Sequence, residues 1–233
     1  MIPLRDDAPR INTPYITYFL LAANIIVFLF EVMLAPPVRN AFVYEFGLVP
    51  ANITNLLGGV PQITPEAALL PIVTSMFLHG SWLHLIANMW ALYIFGDNVE
   101  DHLGHFLYLV LYLGTGVAAS LVHTAFNVNS TVPSVGASGA IAGIMGAYFV
   151  LYPAARVLTL VPFFFIFFVW LPAWVVLGYW FVAQFLSGAA TAITATSRTT
   201  GGIAFWAHVG GFVAGVVLIR LLPSRPRRYR YGT

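Results

Sequence analysis

Six times along this chain the sequence runs for about the length of a membrane-crossing helix with scarcely a charge, at about 15–35, 81–99, 105–126, 137–153, 162–187 and 203–222. A spanning helix needs about 20 mostly apolar residues to cross a hydrocarbon core of about 30 Å. Charged residues make up only 8% of the 233, against roughly a quarter in an average soluble domain. A hydrophobic content of 60% is more than one soluble core absorbs. The reading is an all-α, polytopic membrane protein, a bundle of six transmembrane helices. The first run is followed by "APPVRN", which offers no small-residue cleavage site, so it is read as a retained helix. The fourth run is short. The fifth, "PFFFIFFVWLPAWVVLGYWFVAQFLSG", is long, aromatic and interrupted by Pro172.

An even number of spans puts both termini on one side. Arg5, Arg10, Arg156, Arg220, Arg225, Arg227, Arg228 and Arg230 fall on that side, and only Arg39 and Arg198 on the other. The positive-inside rule makes the arginine-rich side cytoplasmic. The expected organisation is a cytoplasmic segment at 1–14, one membrane domain at 15–222 and a basic cytoplasmic tail at 223–233. The external segment 36–80 is too apolar and too often broken by Gly and Pro for a plain solvated loop, and is placed in the interface. With no cysteine there are no disulfides or thiolate metal sites. There is no H-E-x-x-H, and His79 and His84 are five apart, a poor match to one helix face. No metal, organic cofactor or nucleic acid is called for.

Polar side chains inside a span are costly, roughly 2.5–3.5 kcal/mol for a charge at a helix centre, and need a reason. In span two, "HGSWLHLIANMW" places His84 and Asn88 four apart, on one face. Span four starts at "GASGAIAG" with Ser138, and span six, "AHVGGFVAG", holds His208. All three spans run outside to inside, and all four polar groups lie near the outer starts, so they share one depth. Gly139 and Gly143 in span four, and Gly211 and Gly215 in span six, have the small-xxx-small spacing that lets helices approach closely. Ser138 and His208 are therefore expected within hydrogen-bond reach.

A serine hydroxyl becomes a competent nucleophile when a base accepts its proton, and histidine is the usual base at neutral pH. The inventory gives Ser138 as nucleophile and His208 as base and later acid. His84, Asn88 and the backbone N–H groups around Ala137 and Ser138 are donors for an oxyanion. Glu31 is near the right depth, but nothing ties it to His208, so a two-residue dyad is expected. "GASGA" is not the G-x-S-x-G nucleophile elbow, because Ala140 occupies the last glycine position.

"HGSWLHLIANMW", "FGDNVEDHLGH", "GASGAIAG" and "AHVGGFVAG", in this order over about residues 77–215, resemble the rhomboid family of intramembrane serine proteases. The resemblance implies a six-helix bundle with a chamber open to the extracytoplasmic side. It implies Ser138 as nucleophile, His208 as base, His84 and Asn88 as oxyanion-side donors, and Gly136 two before the serine. Ala137, between them, is expected to lend a backbone donor. It also implies His79 at the mouth of span two and Glu100 as an acid tying cytoplasmic ends together. Some relatives carry an aromatic residue four after the serine that stacks on the base. Here that position is Ala142, which leaves Trp206 or Tyr148 to hold the His208 ring. A Trp-Arg pair found in some relatives is absent from 36–80, which contains no Trp. The implied substrates are single-span membrane proteins cut where their helix unwinds easily, with span five, kinked at Pro172, as lateral gate. The implied location is a bacterial plasma membrane, with oligomeric state open. The alternatives are a non-catalytic membrane-protein binder or chaperone on the same fold, and a solute transporter, which would show an inverted repeat or a charged midplane pair.

Overall fold

The computed structural model describes residues 1–163, 165–194 and 204–224, so the loop after span five and most of the expected basic tail lie outside the described residues. The chain opens with a strand, β1 (Ile2–Asp6), and then forms α1 (Tyr15–Met33). The segment expected to lie in the interface is a run of short helices: α2 (Pro36–Phe46), α3 (Pro50–Leu57), α4 (Pro65–Leu69) and α5 (Pro71–Thr74), closed by a 3-10 turn at Ser75–Phe77. Four of these begin on proline, which presets the first helical φ and lacks an N–H that would go unpaired there. Two long helices follow, α6 (Trp82–Leu103) and α7 (His105–Phe126), and then the shorter α8 (Ser138–Leu151). A hairpin of β2 (Arg156–Phe163) and β3 (Phe165–Pro172) leads into α9 (Ala173–Thr194), and α10 (Phe205–Leu221) is the last helix described.

The hairpin corrects the expected fifth span. Residues 162–187 do not form one helix: the first part is strand, and helix starts at Ala173, directly after Pro172. Phe, Ile, Val and Trp dominate β3, side chains that favour a pleated strand over a helix. Proline ends the strand and can open a helix but not continue one. The sheet order is β1-β2-β3, antiparallel throughout, with Ile2 opposite Leu160, Asp6 opposite Val157 and Arg156 opposite Pro172. The all-α expectation thus holds for the bundle, with a small sheet added at one end.

By length and composition α1, α7 and the Ala173–Thr191 part of α9 can each cross a bilayer, and α6 qualifies together with the bent segment Pro65–Phe77 before it. Helices α8 and α10 are apolar but shorter. The helix most enclosed is α8: every residue from Gly139 to Tyr148 is buried. A helix that is apolar all round must be surrounded, and α6, α7 and α10 supply the walls. The outer faces carry exposed Ile26, Phe30, Ile86, Val110, Val182 and Val217, an apolar exterior suited to lipid. The chain is an integral membrane protein.

At the end of the bundle away from Ser138, Glu100 gathers three helices. Its carboxylate, 1% exposed, accepts the backbone N–H groups of Ile16 and Thr17 at 2.8 Å each and the Thr17 hydroxyl at 2.7 Å. His105 Nδ1 lies 2.6 Å away. One side chain on α6 therefore caps the start of α1 and holds the start of α7, so Glu100 ties these helix ends together by capping.

Candidate active site

Ser138 is the first residue of α8, and the loop before it is held on both sides. Leu48 and Ser134 exchange backbone hydrogen bonds of 2.9 and 2.8 Å, and the Gly136 N–H donates to the Ser75 carbonyl at 2.9 Å. Gly136 has a φ of +130°, a conformation that residues with a Cβ rarely adopt. A Cβ there would also press on the His84 ring at 2.7 Å and approach the Asn88 amide nitrogen at 3.5 Å. Glycine at 136 thus turns the chain into α8 and lets His84 and Asn88 come close. No side chain caps this helix start, so the N–H groups of its first turn remain available beside the Ser138 hydroxyl. A small cleft lined by Ser75, Ser134, Gly136, Ser138 and Ala207 reaches the serine.

Helix α10 packs on α8 more closely than any side chain would permit. A Cβ on Gly211 would collide with the Gly139 carbonyl, and one on Gly215 with the Gly143 carbonyl. The paired glycine spacings do bring the two helices together, as expected. His208, 8% exposed, lies one turn before Gly211 on α10. Its Nε2 is 2.7 Å from Ser138 Oγ. Its Nδ1 is 2.7 Å from Gln184 Oε1, on α9. Trp180, one turn earlier on α9, lies against the same ring with centroids 5.7 Å apart.

The expected holders of the ring are elsewhere. Trp206 stacks on Phe126, with centroids 3.9 Å apart and planes within 6°. The Tyr148 hydroxyl donates to Asp6, and its ring packs on Phe95 and Tyr152. Both are corrected: the contacts on His208 come from α9. Gln184 had a sequence signal, as a strongly polar amide in an apolar helix. The missing information was its partner, which a helical pattern within α9 does not reveal.

His84 and Asn88 share a face of α6, as their spacing requires, and both face Gly136. Asn88, 6% exposed, has its amide nitrogen 3.0 Å from His79 Nε2. His79 is fully buried, and its ring lies 5.1 Å from that of His84. The Glu31 carboxylate accepts the His79 backbone N–H at 3.2 Å. Glu31 therefore supports the His79 turn on this side of the site, and among the described residues no carboxylate hydrogen-bonds His208. The described residues also contain no cluster of His, Asp and Glu able to hold a metal ion.

The family model for the rhomboid domain matches residues 66–225, more than half of the chain. This chain belongs to the rhomboid family. It is 33% identical over 162 residues to the chloroplastic rhomboid-like protein 11 of Arabidopsis thaliana, a match covering 66% of this chain and 52% of that one. It is 32% identical over 152 residues to the mitochondrial rhomboid protein 1 of Saccharomyces cerevisiae, covering 64% of this chain and 40% of the relative. Similarity to the mitochondrial presenilin-associated rhomboid-like protein of Bos taurus is lower, 27% over 205 residues, and covers 84% of this chain and 46% of that protein. The chain spans about half the length, or less, of these relatives.

Proposed function

We propose that this chain is an intramembrane serine endopeptidase that cuts transmembrane segments of other membrane proteins. The observation that carries the proposal is the 2.7 Å contact between Ser138 Oγ and His208 Nε2, on two helices that glycines hold together. Ser138 donates its proton to His208 as its oxygen attacks the scissile carbonyl. The tetrahedral oxyanion is met by the Ser138 and Ala137 N–H groups and by the His84 and Asn88 side chains. His79 supports Asn88: with one amide hydrogen directed at His79 Nε2, the other is free to point at the oxyanion. His208 then gives its proton to the leaving amine, which departs and leaves an acyl ester on Ser138. Water, deprotonated by His208, attacks that ester; the acid leaves and the proton returns to Ser138. Acyl transfer to water needs no cofactor.

The position of the half-buried serine among helices restricts the substrate. A peptide bond in an intact helix is shielded by its own hydrogen bonds, so the substrates are membrane spans that unwind readily near Ser138. They reach it past α9, the helix that begins directly after Pro172. The Ser138 end faces outward and the arginine-rich end the cytoplasm.

The test is cleavage of a single-span protein with small residues in its span, co-reconstituted with this protein in liposomes. Wild type should cut it, and Ser138→Ala and His208→Ala should each lose at least about a thousandfold in rate. Wild type that binds such a protein without cutting it would support the non-catalytic binder instead.

A further inference from the structure

Nucleophilic catalysis at Ser138 requires His208 to present an unprotonated Nε2, and a free imidazole has two tautomers of similar energy. The selection is made at the other ring nitrogen. Gln184 Oε1 only accepts hydrogen bonds, so at 2.7 Å from Nδ1 it requires the proton there. Nε2 is then left with its lone pair directed at Ser138 Oγ, also at 2.7 Å. A neutral amide thus stands where other hydrolases place a carboxylate.

Gln184 reaches the base from a helix that packs closely on α10. Trp180, Gln184 and Gly188 are four residues apart and share one face of α9. Trp180 lies on the His208 ring, and Phe181 packs on Phe212 with centroids 4.8 Å apart. A Cβ on Gly188 would meet Trp206 at 3.2 Å, so glycine there lets α9 lie close to the start of α10. This contact between α9 and α10 is therefore what brings the amide to the base. The titratable groups facing His208 are His84 from α6 and His123 from α7.

We infer that Gln184 is a positioning residue for His208, and that the base is held in its reactive tautomer only while α9 is packed against α10. The inference rests on the protease reading. It adds that the helix expected to move aside for substrate also carries the partner of the base. A substrate span that wedges α9 outward weakens catalysis until the helix returns, so an empty, half-open site is quiet toward water and stray acyl groups.

The experiment measures the rate of fluorophosphonate labelling of the full-length protein in nanodiscs between pH 5 and 9. It compares wild type, Gln184→Glu, Gln184→Leu, Gly188→Val and the Gln184→Leu/Gly188→Val double variant. A carboxylate at 184 accepts the same Nδ1 proton and favours the charged ring, so Gln184→Glu should keep the high-pH rate and move the acid limb up by about one pH unit or more. Gln184→Leu should lose roughly ten- to a hundredfold at every pH. Gly188→Val, which touches neither Ser138 nor His208, should lose a comparable factor, and the double variant should lose little more than either single one. An unmoved acid limb in Gln184→Glu, with wild-type labelling of Gln184→Leu, would overturn the inference and leave the dyad standing. Multiplicative losses in the double variant would overturn the link to α9. Absence of labelling in wild type would overturn the protease reading, and this inference with it.

Discussion

At the scale of single residues, the chain concentrates its polar groups at two levels of the bundle. One level holds Ser138, His208, Gln184, His84, Asn88 and His79; the other is organised by Glu100. Glu100 accepts from Ile16, Thr17 and His105 while almost wholly buried. Replacing it by glutamine turns an acceptor-only group into one with a donor facing donors. Glu100→Gln should therefore destabilise the fold by about 2–3 kcal/mol, read as a lowered thermal midpoint in detergent. Unchanged stability would mean that the carboxylate is not what holds α1 to α6. The Ser138–His208 pair was legible from the sequence because each residue lies at one depth among glycines with interlocking spacing. Gln184 was visible as a polar residue but not as the partner of His208. Helical periodicity orders residues along one helix and says little about how two distant helices rotate toward each other.

At the scale of elements, the serine helix and the base helix meet through backbone. Gly211 and Gly215 leave no room for a methyl group against the carbonyls of Gly139 and Gly143, and backbone cannot step aside as a flexible side chain can. Gly215→Ala should cost about 1–3 kcal/mol or more and separate Ser138 from His208, seen as a lowered melting temperature together with lost labelling. Gly80→Ala, where a Cβ meets nothing within 4 Å, is the control and should behave as wild type. The sequence revealed this helix pair because small residues at a spacing of four have one dominant use in a membrane. It misled at residues 162–172, where length and apolarity suggested the start of a helix. Hydropathy reports where a segment can reside, not which backbone it adopts. The β-branched and aromatic content of the run was the signal for strand, and Pro162 and Pro172 were the signal against one continuous helix. The run pairs with β2 just before it, and β2 pairs on its other edge with β1, from the far end of the chain.

At the scale of the whole molecule, the first twelve residues bind several distant parts together. Beyond the strand pairing, Asp6 accepts the Tyr148 hydroxyl, Arg156 pairs with Asp7 at 2.8 Å, Arg10 with Asp97 at 2.9 Å, and Asn12 donates to Asp101. Burial pushes the Asp6 carboxyl up from 3.8 to about 6. Because its folded pKa lies above the unfolded one, the folded state retains a proton that the unfolded state releases. That stabilisation is present below about pH 4 and is lost as pH rises through about 6. Asp6→Asn keeps an acceptor for Tyr148 without the titration. It should remove a pH-dependent loss of about 2 kcal/mol, after allowing for partial exposure, from melting curves taken between pH 4 and 7.5. Equal pH dependence in wild type and variant would rule out Asp6 as the group responsible. These ties stabilise the arginine-rich end, and the chemistry is assigned to the other. The most direct measurement at that end is labelling of the wild-type protein in detergent with a fluorophosphonate probe, with the modified residue identified by peptide mass spectrometry. One adduct is expected, on Ser138, absent from Ser138→Ala and from a folded His208→Ala. A folded wild type that takes no label, or a label that persists in Ser138→Ala, would contradict it.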